Sequence, residues 1–217
     1  MKRKIIIGVV LLGSAALLAV TFGGKNVAYE TPDYRVVDML GQIEVREYAP
    51  YLVAETLVDA RREQAGNEGF RILAKYIFGG NQPARRIAMT APVSQEKAVG
   101  ANIAMTAPVT QAKSGEQYKI QFMMPSEYAL DELPVPNDSR VSLREVPSRT
   151  FAALRYGGTW SKRNYDKHLE KLLEGLRAKG YEPVGEPVWA RYNSPFTPWF
   201  LRRNEILTEF RVALARR

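Results

Sequence analysis

From Gln42 onward the chain alternates between two spacings of apolar residues. Ile43 and Val45 are separated by single polar positions and the run continues to Tyr48, which predicts a strand. Ala49-Pro50 interrupts it, and Tyr51 to Val58, rich in β-formers, predicts a second strand and therefore a hairpin. The spacing then changes to that of a helix. Phe70, Leu73, Ala74 and Ile77 recur at i, i+3, i+4 and i+7, predicting a helix over 67–78 that Gly79-Gly80 would close. Ile72 and Tyr76 leave this helix on its other side, either as a chance surface pair or as the wall of something that binds there.

One heptapeptide, Ile-Ala-Met-Thr-Ala-Pro-Val, occurs at 87–93 and again, unchanged, at 103–109. Each copy alternates and ends at a proline, Pro92 or Pro108, which lacks the N–H of a continuing ladder. The polar stretch 94–102, with Gly100, predicts a long turn, so that the copies pair and Met89 and Met105 occupy equivalent faces. A methionine so placed either fills an irregular gap in the core or meets a flat aromatic ligand, with its thioether able to serve haem iron as a soft axial ligand. The pattern leaves both open.

Tyr118 to Met124 alternates as a further strand, and 126–140, with Pro134, Pro136, Asn137 and Asp138, predicts an irregular crossing. The second half then repeats the first in outline. Val45-Arg46-Glu47 ahead of Pro50 is echoed by Leu143-Arg144-Glu145 ahead of Pro147, each followed by an apolar strand and then a helix. The second helix is expected over 161–179, with Tyr165, Leu169, Leu172, Leu173 and Leu176 as its buried stripe, and closing strands at 188–192 and 205–212 follow. The fold class expected is α+β: a duplicated strand-helix-strand unit forming a distorted antiparallel β-barrel flanked by two helices.

Charge changes the picture at the N-terminus. Lys2, Arg3 and Lys4 precede an uncharged, mostly apolar run from Ile5 to Phe22, which predicts a signal peptide or N-terminal membrane anchor over 1–25 and places the domain on the periplasmic side of a membrane. Residues 26–40 would be a linker and 41–213 the domain. Lys2, Arg3, Lys4 and Lys25 account for four of the formal +8, leaving 27 basic against 23 acidic residues, too mild an excess for a nucleic-acid partner.

The chemistry available is narrow. There is no cysteine and a single histidine, which excludes thiolate metal sites and makes a multi-histidine site untenable. His168 is the one ordinary nitrogen ligand, about 85° from the centre of its helix's leucine stripe and so at the edge of the buried face. No acid pair, nucleophile elbow or phosphate-binding glycine loop is present, so a binding protein is expected, not an enzyme. Phe196, Trp199 and Phe200 crowd a short loop that would rim a pocket or touch a bilayer. Arg202, Arg203, Asn204 and Glu205 follow, as an ion-paired strand start or as a cationic clamp for carboxylates, with alternating charge favouring the pair.

Ile43 to Tyr48, Gly69 to Asn81, Ile87 to Val93, Phe122 to Ser126, Pro134 to Arg140 and Phe196 to Glu205 together resemble the SOUL haem-binding family over about residues 29–212. The resemblance implies a tetrapyrrole held reversibly in an open groove by the first helix and neighbouring loops, for transport, buffering or sequestration. Carried over, Met89 matches the family's groove methionine and Phe70, Leu73, Ala74 and Ile77 its first helix; Ile72 and Tyr76 join them from the second patch, with Arg85 and Arg86 near the propionates and His168 as the candidate axial ligand. Thr197 stands where some members have a lysine, and the first half has no histidine. Two rival readings remain: a membrane-surface or protein-interaction module docking through the aromatic loop, and a broad small-molecule binder resembling the effector domains of drug-sensing regulators.

Overall fold

The computed structural model describes residues 29–82, 100–194 and 196–213. The predicted signal or anchor segment, the first heptapeptide copy and the residues Arg85, Arg86 and Met89 lie outside them. The elements in order are β1 (Tyr34–Leu40), β2 (Ile43–Tyr48), β3 (Tyr51–Val58), α1 (Arg62–Ile77), β4 (Asn81–Gln82), β5 (Val109–Ser114), β6 (Gln117–Met123), β7 (Val135–Pro136), β8 (Ser142–Val146), β9 (Arg149–Tyr156), α2 (Lys162–Ala178), β10 (Tyr181–Arg191) and β11 (Asn204–Val212). Among the described residues β4 and β7 pair only with each other.

The remaining strands form one nine-stranded antiparallel sheet in the order β1-β2-β9-β11-β10-β5-β6-β3-β8, with α1 packed on β3 and β6 and α2 on β9, β10 and β11. The architecture is α+β, and the expected barrel is an open sheet curled on itself. β2 and β3 do not form the expected hairpin. A tight hairpin needs positive φ in its turn, and among the described residues only glycines have it, so Ala49-Pro50 cannot fold β3 back onto β2. β2 pairs instead with β9 and β3 with β8, so the duplicated halves interlock. Residues 34–40, expected as linker, form β1 on the outer edge of β2.

The second heptapeptide copy is not the strand its alternation suggested. The Ile103 N–H donates to the Ile77 carbonyl, the Ala107 N–H to Glu30 and the Thr106 hydroxyl to Met123, so this stretch is tied to three different neighbours and strand pairing begins at Val109, after Pro108. Met105 packs half-buried against the α1 core.

Period-two alternation gives the sheet two different faces. Ile43, Leu154, Ile206, Trp189, Gln111 and Ile120 stand in one cross-strand row on the face covered by the helices. Their neighbours Tyr48, Ala153, Ala190 and Leu207 form a separate buried cluster on the concave face, where a cleft of about 300 Å³ opens. α1 approaches the sheet through small residues: Ala65 is fully buried, and a Cβ on Gly69 would lie 2.2 Å from Ile120 Cγ1. This explains why α1 starts five residues before the helix start predicted at 67. Its first turns, Arg62 to Asn67, bury a backbone surface and carry no large apolar signal.

Gly69→Ala should therefore destabilise the protein by about 1–3 kcal/mol despite alanine's better helix propensity, because Ile120 is held in the sheet and cannot retreat. Gly175→Ala, opposed chiefly by the terminal Cδ1 of Ile43, should cost less. Urea denaturation of the two variants measures the difference.

Candidate functional site

The middle of α1 borders an open cleft of about 430 Å³. Gly66, Asn67, Phe70 and Arg71 supply one wall, Trp160 and Asn193 the loops opposite, and Val109 and Arg191 the strand side. None of these lining residues is acidic. Phe70 is held by a tilted contact with Phe122, centroids 5.4 Å apart. Trp160 precedes Ser161, whose hydroxyl caps α2 by accepting the Asn164 N–H, so the start of α2 fixes the ring's position.

Arg191 is a cation on the helix-covered face of β10. Its guanidinium lies 4.3 Å from the Trp189 ring centroid and 4.9 Å from that of Trp160, and close to Gly66, where a Cβ would meet it at ordinary contact distance but would crowd Gln111 Oε1 at 2.9 Å. Arg202 stacks on the same Trp160 at 4.1 Å, and Arg62 covers Tyr165 at 4.5 Å. Arg62 has Asp166 at 3.6 Å; neither Arg191 nor Arg71 has a carboxylate partner among the described residues. Burial, reinforced by the charges of Arg62 and Arg202, lowers the Arg191 pKa to about 10, still a cation at neutral pH. Flat aromatic walls beside unneutralised guanidinium suit a planar apolar molecule carrying carboxylates.

The Arg-Arg-Asn-Glu run organises this corner. Asn204 Oδ1 accepts the Trp160 indole N–H at 2.7 Å, and Arg202 Nε donates to the Thr197 carbonyl. Glu205, wholly buried, accepts from Arg46 at 2.6 and 3.1 Å, from Arg203 at 2.7 Å and from the Tyr192 hydroxyl at 2.8 Å. The ion-paired reading of Arg203 and Glu205 is thus the one realised, with Arg46 as the stronger partner that the sequence did not reveal. Burial alone would push the Glu205 carboxyl up; the hydrogen bonds and charges of Arg46 and Arg203 outweigh it and hold it below the ordinary carboxylate range.

Of the helix residues expected to touch a ligand, only Phe70 reaches the cleft. Ile72 and Tyr76, expected as a ligand wall, are core: they are 7% and 1% exposed, and the Tyr76 hydroxyl donates to the Pro134 carbonyl at 2.8 Å. Leu133, Val141 and Ile103 cover that side of α1, so both its faces are buried, and Leu73 and Ile77 are enclosed with them, Ala74 partly so. His168 sits half-buried at the edge of the α2 stripe, stacked on Tyr156 at 4.3 Å with Nδ1 bonded to Asn164 O, and lines neither cleft. Phe196, Trp199 and Phe200 are exposed, Phe196 at 94%. Trp160, Arg191, Arg71 and Gly66 escaped the sequence reading. The available signals were an arginine on the apolar parity of β10 and a glycine inside a helix.

A family model described as SOUL heme-binding protein matches residues 29–209. The chain belongs to the SOUL family. Heme-binding protein 2 of Mus musculus is 27% identical over 202 residues, covering 87% of this chain and 93% of that protein. Heme-binding protein 1 of Xenopus tropicalis is 27% identical over 164 residues, 75% of this chain and 80% of its own. Among solved structures the EcmrR C-terminal domain superposes with a TM-score of 0.55 at 12% identity, over 81% of this SOUL chain and all of that domain, a likeness of fold alone.

A carboxylate whose folded pKa is depressed stabilises fully above its unfolded pKa, about 4.3, and loses that contribution as pH falls through the folded value. Chemical unfolding followed from pH 7 to pH 3 should show stability falling below about pH 4, and less steeply in Glu205→Gln. Arg46→Met should cost about 3–5 kcal/mol at pH 7 by leaving Glu205 buried with its main partner gone. A loss under about 1 kcal/mol would reduce the pair to the weight of a surface ion pair.

Proposed function

We propose that this protein binds haem or a related tetrapyrrole, reversibly and without catalysing a reaction, in the cleft along the middle of α1. Membership of the SOUL family and the names of the mouse and frog relatives support the ligand class. The observation that carries the location is the pairing of Phe70 and Trp160 with Arg71 and Arg191 in a cleft where none of the described lining residues is acidic. Trp160 and Phe70 would pack on the macrocycle, excluding water from part of it, while Arg71 and Arg191 would take its carboxylates. The described residues of the cleft would hold the ligand by stacking and charge, through Phe70 and Trp160 and through Arg71 and Arg191.

Hemin titration should give a Soret shift and quench the Trp160 fluorescence, with a dissociation constant on the order of tens of micromolar, about −6 kcal/mol. Asn67→Trp, at an exposed position of α1 that lines the cleft, should obstruct binding, and Arg71→Glu should weaken it about fivefold. A spectrum unchanged by hemin, or binding indifferent to both substitutions, overturns the proposal.

The apolar run Ile5–Phe22 behind Lys2, Arg3 and Lys4 supports export, tethered or cleaved. Mass spectrometry of the protein recovered from fractionated cells is expected to find it on the periplasmic side; recovery with an intact N-terminus in the cytosol would refute export.

A further inference from the structure

We propose that the concave face of the sheet is a second binding site, separate from the α1 cleft, for an amphipathic organic anion with an apolar body and one acidic head. It lies on the face of the strands turned away from both helices: β10 gives Arg191 to the α1 cleft and Val188 and Ala190 to this one. Strands of both halves contribute, and the floor includes Val53, Met123 and Leu207 with the rings of Tyr51 and Phe151. At about 300 Å³ the cavity is at the lower end of small-molecule sites.

Charge decides the class of ligand. Arg144 and Arg149 on the cleft wall are committed to Glu55 and Glu209, each at 2.8 Å. Lys119 faces this cleft from β6 and Lys113 borders it from the opposite parity of β5; neither has an acidic partner among the described residues, against one unpaired acid, Glu186. The carboxylate beneath the floor, Glu205, is saturated by Arg46, Arg203 and Tyr192 and has nothing left for a cationic guest. An apolar body would enter the cleft while its head stays at the rim beside Lys119, whose aliphatic stem extends the greasy wall.

Photolabelling of the full-length chain with a diazirine-bearing dodecanoate, followed by peptide mapping, tests this. The label should fall within residues 109–123 and 181–192, persist under saturating hemin, and yield to dodecanoate but not to dodecyltrimethylammonium. Lys119→Glu should reduce it about fivefold, and Ala112→Phe, which fills the cleft, should abolish it while the thermal melt remains cooperative. Label on residues 62–77 or 196–201, competition by hemin, equal competition by the cation, or labelling unchanged in both variants overturns the proposal. If either variant loses its cooperative melt, the position of the label in the unaltered chain decides. Because hemin binding is read separately, failure of the haem assignment would leave this result standing.

Discussion

The buried carboxylate of Glu205 is the constraint on which the two halves depend. It joins β2, through Arg46, to the last strand, and Tyr192 and Arg203 complete its shell. Two charges removed from water cost several kcal/mol each, and only a bidentate guanidinium with further donors offsets that. The arrangement tolerates little variation in register, because β2 and β11 are both hydrogen-bonded to β9 and the ion pair spans it. Asn204, one residue away, faces the opposite way and secures Trp160. A single strand start thus fixes the interior of the concave face and the outer wall of the α1 cleft together.

Small residues set the second constraint. Gly69 lets α1 rest on Ile120 at backbone distance, and Gly66 leaves room for the Gln111 side chain beneath the helix, with the Arg191 guanidinium beside it. The wall of the cleft is therefore seated directly on the sheet, which keeps Phe70 against Phe122. A preformed wall reduces the ordering required on binding, and an open one limits how much of a ligand it can cover.

Much of the fold was legible. The strands at 43–48, 51–58 and 118–124, the extent of α2 and the repetition of the two halves followed from the sequence pattern, whereas β10 was expected only over its last residues. Three features were not. The pairing of β2 with β9 depends on where the chain goes after Ala49-Pro50, and local pattern is silent on that. β1 was hidden because it is an exposed edge strand with almost no buried position. The second methionine copy alternates like a strand but spends its hydrogen bonds on separate neighbours. The site was legible in kind more than in place: the tetrapyrrole family could be recognised, whereas Ile72 and Tyr76 were misjudged because the cover over α1 comes from the distant crossing segment and from Ile103. Trp160 and Arg191 become meaningful only once two strands and two helices converge.

The two-faced use of β10 also limits how this chain can change length. Odd positions Trp189 and Arg191 serve one side and Val188, Ala190 and Tyr192 the other, so inserting or deleting one residue between Val188 and Arg191 would exchange the occupants of both sides at once. The strand already contains one irregularity, between Val184 and Val188, where Gly185 has positive φ, and it lies on the far side of the paired stretch from Arg191. Gains and losses of single residues should accordingly collect at that bulge, at hairpin tips and in the proline-rich crossing, leaving the last turn of β10 with an invariant count.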